Sequence, residues 1–137
     1  MNKVLLISIV SFLLLLSSNT EAQFYIGKHS DDIKEIIKEE HPYFKLNTSD
    51  VNTAYKYLKY EDRINEITAL LFLDEEDKCK MVRIMYDYAN INDVLDYIKK
   101  NMEKVGENTY EFTPYNERLT VAMKEEDWFF TLTVKAK

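Results

Sequence analysis

Two acidic runs invite a chemical reading: Asp74-Glu75-Glu76-Asp77 and, fifty residues on, Glu125-Glu126-Asp127. Clustered carboxylates suit calcium, but a calcium loop alternates its ligands and bends sharply at a glycine. Neither run does so, and both read as solvated hairpin turns. The two histidines, His29 and His41, lie twelve residues apart, roughly 18 Å along a helix, too far to share a metal ion. Cys79 is the only thiol. A reactive cysteine needs a positive neighbourhood, yet Lys78 and Lys80 point away from it on a strand, so Cys79 reads as a small apolar sheet residue. HExxH, CxxC, GxSxG and Gly-rich phosphate loops are absent, since Gly27 and Gly106 are the only glycines. Carboxylates are plentiful, but so short a chain without long loops is a poor frame for a glycosidase cleft. The expectation is a non-enzymatic protein with no catalytic residues, no metal site and no cofactor; a small hydrolase with an unrecognised site is the least favoured reading.

The N-terminus reads as an address. Lys3 gives a positive end, Val4 to Leu16 form a thirteen-residue apolar core, and Thr20 and Ala22 stand at −3 and −1 of a cut before Gln23. That is the layout of a secretory signal peptide over 1–22, too short in its apolar part to span a bilayer comfortably. Residues 23–137 are then a single exported α+β domain, periplasmic or extracellular, with no membrane insertion after signal removal. The chain has a formal net charge of −6 and a pI near 5.0, with no dense Lys/Arg cluster to attract phosphate backbones, so nucleic acid is not an expected partner. One cysteine makes no internal disulfide, so the fold rests on its own core, for which 46% apolar residues supply material. Abundant Lys, Ile, Asn and Tyr beside few Gly and Arg point to an AT-rich, bacterial genome. The sequon at Asn47 matters only in a eukaryotic host.

The elements follow from periodicity. Ser30 or His29 caps a helix whose first turn holds Asp31 and Asp32, whose stripe is Ile33, Ile36 and Ile37, and which stops near His41 before Pro42. A loop, FKLNTSDVN, follows. Three strand-like runs come next: Thr53 to Tyr60, Glu66 to Leu73, and Cys79 to Tyr86. The order then repeats. INDVLDYIKKNMEKVG reads as a helix with Asn90 or Asn92 as cap and Gly106 as terminator. NTYEFTPY is a short strand at an edge or an end, and ERLTVAMK and DWFFTLTVK form the last hairpin. The hairpins align without a gap at an offset of 50 and the helices at 61, so the first half has the longer helix-to-hairpin connection. The expected architecture is two α-β-β-β units in tandem, about 23–88 and 89–137, with helices on one face of an antiparallel sheet.

Gly27 is followed six residues on by Ile33 at the entrance to the first helix, with three strands behind. In this the chain resembles small secreted bacterial domains of the beta-lactamase-inhibitor-protein-like fold. It is also similar to uncharacterised short exported proteins of Bacteroidetes that open on a YIGKS stretch, here Tyr25 to His29. Where that pattern has Ser or Thr two residues after the glycine, this chain has His29, with Ser30 next. The resemblance implies binding to proteins or service in envelope assembly, and carries over no catalytic residue.

Strand alternation assigns the sheet faces. Leu119, Val121, Met123, Phe130, Leu132 and Val134 should face the helices. At the offset of 50, so should Ala69, Leu71, Leu73, Val82 and Ile84. Thr68, Leu70, Phe72, Cys79, Met81, Arg83 and Met85 would then face outward. That set is more apolar than a solvated face calls for, and methionine lends such surfaces adaptability. Leu70, Phe72, Met81, Arg83, Met85 and Tyr57 are the candidate binding residues. The partner would be another protein or a second copy of the chain, the latter as a self-associating structural or assembly factor of the cell envelope. For Trp128 and Phe129, the expectation is core packing for one and edge exposure for the other.

Overall fold

The computed structural model describes residues 25–48, 55–113 and 117–137; the expected leader over 1–22 lies outside the described residues. Helix α1 spans Ser30–Glu40 and is capped by His29, whose Nδ1 accepts the Asp31 N–H at 3.2 Å. Asp31 and Asp32 sit at its positive end. Its apolar stripe buries Ile33 and Ile37, and the His41 N–H closes the last turn on the Ile37 carbonyl at 2.9 Å. Helix α2, Ile91–Asn101, follows a 3-10 turn over Tyr88–Asn90 whose Ala89 N–H is held by the Asp87 carboxylate at 2.8 Å. It buries Val94, Tyr97 and Ile98 and closes on the Ile98 carbonyl through Met102. The two helices begin 61 residues apart and end 61 residues apart.

Eight antiparallel strands form one sheet: β1 Lys45–Asn47, β2 Tyr57–Asp62, β3 Ile67–Leu73, β4 Cys79–Asp87, β5 Glu103–Gly106, β6 Thr109–Phe112, β7 Leu119–Glu125 and β8 Phe129–Ala136. Their order is β1-β2-β3-β4-β8-β7-β6-β5, so the chain builds each half from its edge inward and the last strands of the two halves meet at the centre. The class is α+β, as expected, but each helix is followed by four strands rather than three. The extra strands, β1 and β5, are the edges. The second helix ends at Asn101, five residues before the expected terminator Gly106. There the Asn101 amide donates to the Tyr97 carbonyl, Met102 turns extended, and Glu103–Gly106 pairs back on Thr109–Phe112 through a turn with Asn108 at φ 57°. Gly106 therefore belongs to a hairpin and not to a helix terminus.

Alternation holds through the central strands. Ala69, Leu71, Ile84, Leu119, Val121, Leu132 and Val134 are all almost completely buried, and each large aliphatic among them contributes about 1.5–3 kcal/mol by leaving water. One hydrophobic cluster joins them to Ile33, Ile37, Val94 and Ile98 of the helices. Tyr86 and Phe130, neighbours across the β4–β8 seam, stack at 5.2 Å between ring centroids.

The expected outward placement of Cys79 is overturned. Pairing runs Phe72 to Met81 and then Leu73 to Cys79, which leaves Lys80 as an extra, unpaired residue. Such a bulge shifts the alternation by one, so Cys79 turns to the buried face at 2% exposure. The N-terminal segment clasps this corner. The Gly27 N–H donates to the Cys79 carbonyl at 2.7 Å, and the Cys79 N–H to the Lys28 carbonyl at 2.9 Å. Gly27 has a φ of 86°, open to glycine at no steric cost.

Candidate binding face

The face of the sheet opposite this core is built by the alternate residues of β2, β3, β4, β8 and β7. A single row crosses six strands at its middle: Lys59, Leu70, Arg83, Thr133, Ala122 and Thr109. One row nearer the Lys80 bulge stand Tyr57, Phe72, Met81, Lys135 and Thr120. All six candidate residues, Tyr57, Leu70, Phe72, Met81, Arg83 and Met85, lie on this face and are half-buried. Burial inside the protein would have removed them as a surface; the structure leaves them partly open.

Local packing holds the group in place. The Tyr57 and Phe72 rings meet at 5.9 Å. The Arg83 guanidinium lies over Phe72, 5.8 Å from the ring centroid, a cation–π geometry. The Arg83 Nε donates to Thr133 Oγ1 at 3.3 Å. Two shallow depressions of about 460 and 480 Å³ share Leu70 and Arg83 and together form one trough. The smaller is walled by Tyr55, Tyr57, Phe72 and Met81; the other runs over the threonines of β7 and β8 to Phe129. A larger recess, about 710 Å³, lies along β1 near Tyr43 and Ile64. None of the six candidate residues lines it.

The expectation for the aromatic pair fails. Trp128 is 85% exposed and Phe129 37% exposed, because Trp128 precedes β8 in the turn and Phe129 takes the open-face parity of Thr131 and Thr133. Sequence reasoning also missed the cations around the trough. Lys124 and Lys135 read as ordinary solvent-face residues, and only the β4–β8 register puts Lys135 beside Met81.

The groups that carry chemistry are placed apart. His29 is a helix cap. Burial pushes the pKa of His41 down to about 4, which leaves a neutral ring packed edge-on to Phe44 at 6.1 Å. Burial pushes the Cys79 thiol up to about 12, far from the thiolate a nucleophile requires. In the first acidic turn, Asp74 Oδ1 accepts the N–H groups of Lys78 and Glu76, each at 2.9 Å. Those bonds, the Lys78 one foremost, hold its carboxyl below the usual carboxylate range. Asp77 adopts φ 64° and pairs with Lys56. The run is turn chemistry, spent on the backbone. No group of three or more His, Cys, Asp or Glu side chains is arranged to hold a metal ion among the described residues, and none of the helices there is long and apolar enough to cross a membrane.

No family model, no curated protein and no solved structure matches this chain, so a functional reading rests on its own residues.

Proposed function

We propose that this is an exported, non-enzymatic binding protein that contacts another protein through the open face of its sheet. In this reading both helices cover the opposite face and the chain is two corresponding α/β units joined at the β4–β8 seam, an arrangement like that of the beta-lactamase-inhibitor-protein-like domains its N-terminal motif resembles. The observation that carries the reading is the half-exposed cluster of Tyr57, Leu70, Phe72 and Met81, apolar side chains on a face that nothing in the described chain covers fully. Surfaces of that kind mark partner sites. The leader-like 1–22 supports export. The buried Cys79 thiol and the separated histidines favour binding over catalysis.

The test is capture of partners from the cell-envelope fraction by the protein and by Phe72→Asp. Capture that depends on Phe72 supports the reading; equal capture by the variant removes this face. A second reading, self-association in envelope assembly, draws support from the two edge strands, β1 and β5, each paired on one side only. Light scattering separates the two: a concentration-dependent mass increase favours self-association.

A further inference from the structure

Taking that binding face as the premise, we propose that its partner segment is an extended acidic peptide with an aromatic anchor, laid obliquely along the trough. The chain as a whole is acidic, at −6, yet four cations, Lys80, Arg83, Lys124 and Lys135, line the two depressions against one carboxylate, Glu126. Glu126 is already engaged by Lys124 at 2.8 Å. Lys80, Arg83 and Lys135 have no carboxylate within ion-pair distance among the described residues. A locally cationic groove on an acidic body selects anionic partners and steers them to that one face.

Arg83 is the pivot. Its guanidinium rests on the Phe72 ring and its Nε is held by Thr133, so the outer fork is already oriented and loses little freedom on meeting a carboxylate. The depression beside it, walled by Tyr57, Phe72 and Met81, has a volume of about 460 Å³, within the size of sites that take a small apolar group. The anchor fills it, and carboxylates on either side meet Arg83 and the flanking lysines.

The form of the ligand follows from the sheet. The trough crosses from β2 to β7, four interstrand steps, or about 19 Å at the usual strand spacing, which about six extended residues cover. The strands beneath are paired on both sides, so their backbone has no free edge and recognition runs through side chains alone, unlike strand addition. An anionic bilayer is the poorer match, because Arg83 is recessed against Phe72 and the acidic remainder of the surface repels the membrane.

The probe is a fluorescent six-residue peptide, Glu-Trp-Glu-Asp-Phe-Glu with blocked ends, titrated into the purified protein. Controls replace its acids by lysine or its aromatics by alanine, and vesicles containing phosphatidylglycerol form a parallel arm. We expect saturable binding that weakens at least tenfold with either control peptide, with Arg83→Glu, and between low and high salt. Arg83→Gln and the exposed Lys135→Glu guard against misfolding: with unchanged circular dichroism, both should weaken binding. Absence of binding, indifference to the lysine control, or full affinity in Arg83→Glu overturns the proposal. Vesicle binding that outcompetes the peptide assigns the face to membrane. Dimerisation that the peptide reverses and Trp128→Ala abolishes assigns it to the Glu125–Trp128 turn of a second copy. Capture from the envelope that depends on Phe72 but is unmoved by salt and by Arg83→Gln sinks the acidic segment and leaves the binding face standing.

Discussion

The β3–β4 and β7–β8 hairpins meet at the centre of the sheet with the same buried layer and opposite open layers. Beneath, Leu71 and Ile84 in one and Val121 and Leu132 in the other are equally sealed. Above, Leu70 beside Arg83 is answered across the seam by Ala122 beside Thr133, and Phe72 beside Met81 by Thr120 beside Lys135. Packing constrains the inner layer to apolar residues of similar bulk. The outer layer has no such duty, and its departure from small polar residues in the first hairpin is what the proposed binding face rests on. The turns differ too. In the first, the Asp74 side chain caps the backbone. In the second, Glu126 pairs with Lys124 while its carbonyl receives the Tyr88 hydroxyl.

The sharpest way to break the comparison is in the inner layer. Leu71→Ala and Leu132→Ala should each cost about 2–5 kcal/mol, read by urea denaturation, and Leu70→Ala much less. If only one hairpin paid that cost, the two inner layers would not be equivalent. Next is pH. The residue closing α1 is His41 and the one closing α2 is Met102. With its folded pKa lowered to about 4 from 6.5, the His41 contribution is full above pH 6.5 and is lost as the pH falls toward 4, by at most about 3 kcal/mol. His41→Met should be the flatter of the two between those limits, and matching slopes would refute the burial argument. A smaller effect separates the turns: Asp74→Ala should speed hydrogen exchange at the Glu76 and Lys78 amides, whereas Asp127→Ala should leave its turn unchanged. The smallest is Trp128→Ala, within about 0.5 kcal/mol of the parent in stability. As the only tryptophan, Trp128 should show solvent-exposed emission in the free protein.

Much of this contrast was legible in the sequence, because a period of two needs only local reading. Every residue assigned to the buried face in the two hairpins is buried; of the outward residues, Cys79 is turned to the core and Thr131, on the open face, is itself covered. What failed needed information from elsewhere in the chain. Lys80 looks like any strand residue until β3 shows that it has no partner. β1 and β5 are short edges, largely exposed on both faces, so they carry no alternation to detect. The cationic rim of the trough depends on β4 lying beside β8, a pairing between segments fifty residues apart.

The Lys80 bulge has a consequence for how this chain tolerates change in length. Across the seam Arg83 faces Thr133 and, one strand further out on each side, Leu70 corresponds to Ala122. The separations are 50 and 52, both even, so the gapless offset of the sequence is off by two in the incoming strand, yet no side chain changes face. A single inserted residue in β3, β7 or β8 would turn the rest of that strand inside out, exchanging core for groove. Insertions in the central strands are therefore tolerable in pairs, or singly where the extra residue is extruded as Lys80 is. Length variants made by design offer the same arithmetic: two-residue deletions at the hairpin tips should fold, and one-residue deletions within the strands should not.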